Sequence, residues 1–159
     1  MVPPSGKRLV VAAAVGGAAL AAAGGLAFAL RSPAPEIESA PNAGHPLCGD
    51  IARHYPPELL GKNRTEAEGA GVAVWGDSAV VLRCGMAPPP PTTDPCLNVN
   101  GVDWVLRAGA SSESEKVLVT YGREPAVEVT VTDAQASAGD GLVDLGDAVR
   151  RIPQEHKCL

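Results

Sequence analysis

Aromatic side chains are scarce in this chain, at 3% of all residues. Beyond the first thirty positions they reduce to Tyr55, Trp75, Trp104 and Tyr121. A core must therefore be assembled from Val, Leu and Ala, which bury less apolar area per side chain. A domain of about 110 residues built that way is expected to need covalent help. Basic charge is also short. Of 13 Lys/Arg, three (Lys7, Arg8 and Arg31) precede residue 32; the remaining ten face all 18 Asp/Glu, a net charge of −8 for residues 32–159. A nucleic-acid partner calls for the opposite balance, a basic stripe that neutralises phosphates. An anionic membrane surface would repel the same acidic region. No C-x-x-C, no metal-ligand spacing among His45, His54 and His156, no G-x-S-x-G and no internal repeat occurs. No metal or other cofactor is implied.

What the chain does have begins with Leu9–Leu30, twenty-two residues without a charge or a strong hydrogen-bonding side chain. That length crosses a hydrocarbon core of roughly 30 Å as a helix. Lys7 and Arg8 before the run place the N-terminus inside and export the rest. The length favours a retained anchor over a signal peptide cleaved after Ala29, although Ala27-Phe28-Ala29 has the small-x-small pattern of a cleavage site. Residues 32–46 carry four prolines and few apolar side chains, the composition of a flexible tether. The expected organisation is a cytoplasmic tip with an anchor or signal segment over 1–31, a tether over 32–46 and an extracytoplasmic domain over 47–159. The membrane is thus an expected partner through residues 9–30, with the protein at the cell membrane, or secreted if the segment is cleaved.

Four cysteines, Cys48, Cys84, Cys96 and Cys158, all follow the hydrophobic run. An even count in an exported domain points to two disulfides with three possible connectivities. The favoured pairing is Cys84–Cys96, closing the loop around Pro88–Pro91, with Cys48–Cys158 tying the domain ends.

Hydrophobic periodicity then gives the elements. A short helix is expected between Leu47 and Leu60, interrupted by Pro56-Pro57. Strands follow at 71–75, 79–83, 102–106, 116–121 and 126–132, with turns at Gly76–Ser78 and Asn98–Gly101. In the last strand Val127, Val129 and Val131 alternate with Glu128, Thr130 and Thr132, the period of a half-buried sheet with one wet face. Residues 133–140 read as a loop. Leu142, Leu145, Val149 and Ile152 recur at helical spacing, with Asp140 placed as a cap and Pro153 as the stop. The expected fold is α+β: a small antiparallel sheet of about five strands with a C-terminal helix on one face, after an N-terminal transmembrane helix.

Three segments carry a family resemblance: Val74-Trp-Gly-Asp-Ser-Ala-Val-Val-Leu-Arg-Cys-Gly85, then Cys96 with Asn100-Gly-Val-Asp-Trp104, then Thr120-Tyr-Gly-Arg-Glu-Pro-Ala-Val-Glu-Val129. Together they resemble the actinobacterial domain-of-unknown-function family numbered 3515. The resemblance implies envelope-anchored or secreted proteins and brings no assigned activity.

Arg83 and Arg123 end apolar strands, and their planar forks suit carboxylate or phosphate recognition. Asp103, Glu128 and Asp77 are candidate internal partners, and structural pairs pinning strand ends outweigh a ligand clamp. Trp75 and Trp104 are candidates to line a groove, with burial in the core the weightier reading. Gly122 in the turn after Tyr121 is expected at positive φ. The candidate ligand-binding set is Arg83, Trp104, Asp103, Tyr121, Arg123 and Trp75; no catalytic residue is assigned. His54, four residues after Asp50, reads as a surface histidine before a base, and the Asn63-Arg-Thr65 sequon carries no weight. The leading function is a non-catalytic envelope module binding a partner protein or a cell-wall component. A cell-envelope hydrolase or transferase and a thiol-redox protein are the alternatives.

Overall fold

The computed structural model describes residues 34–132 and 138–158. Helix α1 (Pro46–Ala52) comes first, followed by β1 (Glu58–Leu59), β2 (Lys62–Thr65), β3 (Val72–Trp75) and β4 (Val80–Met86). Then come β5 (Cys96–Val99), β6 (Val102–Leu106), a 3-10 turn at Ala108–Ala110, β7 (Glu115–Thr120), β8 (Ala126–Thr132) and α2 (Ala138–Val149). All eight strands join one sheet in the order β1-β2-β3-β4-β8-β7-β6-β5, and every neighbouring pair is antiparallel.

The expected sheet of about five strands is therefore too small. The five expected strands correspond to β3, β4, β6, β7 and β8, and three more extend the sheet. β2 is half-buried only at Lys62 and exposed beyond it, so no apolar alternation marks it; its strand geometry comes from pairing with β3. β5 follows the proline run and is mostly exposed. Its hairpin to β6 turns on Asn100 and Gly101, with φ of 50° and 80°, the two-residue geometry with both central residues left-handed that Asn-Gly favours.

The chain runs β1 to β4 as one meander, crosses to the far edge, and returns from β5 to β8 beside β4. The crossing, residues 87–95, has to pass four inter-strand spacings of ~4.8 Å, about 19 Å in all. Four consecutive prolines suit that task, since an extended polyproline segment advances ~3.1 Å per residue with no backbone partners.

Both α-helices of the described residues cover one face. On that face the sheet presents Trp75, Val80, Leu82, Cys84, Val102, Trp104, Leu118, Val127, Val129 and Val131. Against them pack Cys48 and Ile51 of α1 and the stripe Leu142, Leu145, Val149 and Ile152, which runs along α2 and just beyond its end. Each such buried side chain contributes roughly 1.5–3 kcal/mol relative to exposure. α2 already begins at Ala138, so Asp140 lies in its first turn and does not cap it. His45 caps α1, its Nδ1 accepting from the Leu47 N–H at 3.2 Å, with Pro46 in the first turn where its missing N–H costs nothing.

The opposite face is not the wet one its alternation suggests: Glu128 is only 5% exposed, and Val105, Val119 and Ala126 form a second buried cluster with half-buried Met86 and Tyr121. Nor does the stretch at 34–46 hang free. Ile37 N–H donates to Glu68 O at 3.2 Å, Asn42 N–H donates to Gly85 O at 2.9 Å, and Ala40 is buried. Room for it exists because Gly69, Gly71 and Gly85 lack side chains; a Cβ on any of them would run into Ile37, Ala43 or Asn42. No helix among the described residues is long and apolar enough to cross a membrane. The membrane segment expected at 9–30 lies outside the described residues.

Candidate functional site

Strand parity sorts the candidate residues onto the two faces. Register pairs Arg83 with Glu128, Glu128 with Val119, Val119 with Val105 and Val105 with Cys96. This row crosses β4, β8, β7, β6 and β5 on the face away from the helices. Cys84, next to Arg83, points to the other face, into the core. Cys84 and Cys96 thus lie on opposite faces and about 19 Å apart at the ~4.8 Å strand spacing, beyond the reach of a disulfide. The expected pairing is corrected accordingly. Cys48 of α1 bonds Cys84 with Cα atoms 5.5 Å apart, and Cys96 bonds Cys158 with Cα atoms 6.2 Å apart.

The second bridge draws the C-terminal segment 153–158 across the end of β6 and the β7–β8 turn. Asp103 is the centre of this region. Its carboxylate accepts from Asn98 Nδ2 at 2.5 Å, from Gln154 Nε2 at 2.8 Å and from the Cys158 N–H at 3.0 Å. Burial works against its charged form, but those three hydrogen bonds and the Lys157 ammonium outweigh it and hold the carboxyl below the usual range. Arg123, 4% exposed, donates to the Ile152 carbonyl and to Gln154 Oε1 at 3.3 Å. Burial lowers its pKa, with the Asp103 carboxylate pulling the other way and Arg150 adding to the lowering. Gly122 sits at φ +68°, and a Cβ there would collide with the His156 backbone. This glycine therefore serves both the turn and the close approach of the C-terminal segment, with Glu155 N–H donating to its carbonyl at 2.7 Å.

Beside this network lies a cleft of about 270 Å³, lined by Pro91, Thr92, Asp94, Cys96, Val105, Tyr121, Lys157 and Cys158. Its walls are the proline crossing on one side and the disulfide-held C-terminal segment on the other. Half-buried Tyr121 contributes to it, and the Tyr121 N–H donates to the Asp103 carbonyl at 2.8 Å.

Of the six candidate residues, Asp103, Tyr121 and Arg123 come together at this end. Arg83 shares their face but is engaged by Glu128, at 3.2 Å through Nε and 2.5 Å through Nη2, with Arg107 3.9 Å from the other carboxylate oxygen. Trp75 and Trp104 lie in the core under the helices, both at 0% exposure. Trp75 donates to the Pro56 carbonyl at 3.0 Å and meets Tyr55 edge-on at 6.0 Å; Trp104 Nε1 has no hydrogen-bond partner among the described residues. His54 is exposed, and Asp50 instead faces Arg53 at 2.5 Å and Arg151 at 3.7 Å. Among the described residues no group of three His, Cys, Asp or Glu side chains is placed to hold a metal.

Sequence reasoning passed over Asn98, Gln154 and Lys157. One signal was available. A two-residue Asn-Gly turn at 100–101 requires a strand on each side, and its register sets Asn98 directly opposite Asp103. Gln154 and Lys157 gave no such signal, because the cross-link that draws them in spans 62 positions.

The family described as "Protein of unknown function (DUF3515)" matches residues 8–157, and the chain belongs to it. No curated protein and no solved structure matches the chain.

Proposed function

For this member of the DUF3515 family we propose an envelope-attached, non-catalytic binding module whose recognition surface is the cleft between the proline crossing and the C-terminal segment. The uncharged run at 9–30 supports attachment, and two cysteine pairs at bonding distance fit an oxidising exterior. The observation that carries the reading is the cleft's construction. Its walls are cross-linked and backed by the Asp103 network, so little ordering is left to be done on binding. At about 270 Å³ it falls below the roughly 300–1,000 Å³ of clefts that enclose a small ligand. It suits one or two protruding groups of a macromolecular partner of the envelope.

Photo-crosslinking in the native host tests this. A photoreactive residue at Thr92, exposed on the cleft rim, is compared with one at Asp77, exposed in the β3–β4 turn. A discrete adduct in the membrane fraction from position 92 and none from 77 is expected. Identical patterns from both positions, or a chain that partitions with the cytosol, would overturn the proposal.

A further inference from the structure

The two disulfides occupy opposite environments. Cys48 and Cys84 are 1% and 0% exposed inside the helix-side core. Cys96 is exposed, Cys158 is half-buried, and both line the cleft. We infer that Cys96–Cys158 is a reducible latch: a site of thiol–disulfide exchange with an external dithiol reductant that frees residues 153–158 and opens the cleft.

Access comes first. A thiolate has to approach a sulfur in line with the bond it breaks, and only the Cys96–Cys158 pair faces solvent. The reductant's thiolate attacks Cys96 Sγ, forming a mixed disulfide while the Cys96–Cys158 bond breaks and Cys158 leaves as a thiolate. The reductant's second thiol then displaces Cys96, closing the reductant's own disulfide. Two electrons and two protons pass to the protein, and both cysteines end as thiols. Lys157, adjacent to Cys158 and lining the same cleft, supplies positive charge that favours a thiolate leaving group. Asp103 and Asp94 act in the opposite sense.

What the bond holds is equally lopsided. Ile152 is the last core residue; after it Pro153, Glu155, His156 and Lys157 are exposed and Gln154 is half-buried. Once the bond is cut, the segment is held by hydrogen bonds: Gln154 to Asp103, Arg123 to Gln154, Glu155 to Gly122 and Cys158 to Asp103. Gln154 is half-buried and Glu155 exposed, so water reaches the segment's side of these bonds, and no apolar side chain beyond Ile152 backs them. Release removes Lys157 and Cys158 from the cleft wall and strips two donors from Asp103. Reduction of the core bridge has no such path, because its sulfurs are sealed beneath α1.

The test is graded reduction of the full-length protein in detergent with dithiothreitol, trapped with iodoacetamide at intervals and mapped by peptide mass. Alkylation of Cys96 and Cys158 at least tenfold faster than of Cys48 and Cys84 is expected. Hydrogen exchange on the half-reduced protein should rise over residues 120–124 and 153–158 and stay unchanged over β3, β4 and α1. Equal reduction rates, prior reduction of Cys48–Cys84, or an exchange pattern identical to the oxidised protein would each overturn the latch. The C96S/C158S double variant should reproduce the open exchange pattern; if it does not fold, graded reduction of the unaltered protein still decides. Neither measurement uses a binding partner, so failure of the latch and failure of the binding proposal are separable.

Discussion

On the helix side of the sheet, two tryptophans, a run of Val and Leu and a sealed disulfide exclude water and leave few polar atoms to satisfy. On the other side, a thin apolar row of Val105, Val119 and Ala126 is flanked by two partnered carboxylates: Glu128 accepts from Arg83 and lies 3.9 Å from Arg107, and Asp103 accepts from Asn98, Gln154 and the Cys158 N–H. The first face is held by area removed from water and tolerates salt and pH. The second is held by specific pairings, each of which can be broken singly. The cleft proposed above as a recognition surface lies on the second face, beside polar groups already fixed in place.

The contrast can be broken most severely from the helix side. Leu145→Ala removes a fully buried side chain and should cost about 2–5 kcal/mol in urea unfolding, with little dependence on ionic strength. A loss under 1 kcal/mol would mean that α2 does not seal the core. On the opposite face Glu128→Ala leaves Arg83 and Arg107 facing each other's charge. Both guanidiniums keep contact with water, so the cost should be nearer ~2 kcal/mol than the 3–5 of a fully buried pair. Added salt should shrink that cost by screening the two arginines; a salt-independent loss would point to packing instead.

Acid sharpens the comparison further. Asp103 has its pKa depressed in the folded protein, so the stability it contributes is present above the unfolded value of ~3.9 and is lost as pH falls through the lower folded value. Asp103→Asn should therefore be less stable than the parent at pH 7, with the gap closing below pH ~4 in thermal melts. A gap constant from pH 7 to pH 2.5 would contradict the network. The smallest effect concerns Tyr55, whose buried hydroxyl has no hydrogen-bond partner among the described residues and whose pKa burial raises against the pull of Arg64. Tyr55→Phe should be neutral or stabilising by up to ~1 kcal/mol, and should reduce the alkaline loss of stability that sets in above pH ~10. A clear destabilisation would show that the hydroxyl has a partner after all.

How far the residues foretold this arrangement follows the range of the forces involved. β8 and α2 were legible because Val127–Val131 and Leu142–Ile152 carry their periods within a dozen positions. β1, β2 and β5 were not, since Lys62–Thr65 and Cys96–Val99 become strands by pairing with neighbours. The cysteine count announced two bridges, but their pairing turned on which face each strand position presents and on a crossing that skips three strands. Prolines at 32–46 suggested a free tether; the glycines that leave room for residues 34–46 lie far downstream, at 69, 71 and 85. Of the candidate site, Asp103, Tyr121 and Arg123 were legible as charged or aromatic residues at strand ends and turns. Their assembly with Gln154 and Lys157 was not, being a consequence of the Cys96–Cys158 bridge.

That bridge makes the division between the two faces directly testable. Non-reduced peptide mapping of the protein purified from an oxidising compartment should return Cys48 linked to Cys84 and Cys96 linked to Cys158. A peptide joining Cys84 to Cys96 would contradict the account, because it would require the two faces of the sheet to exchange places.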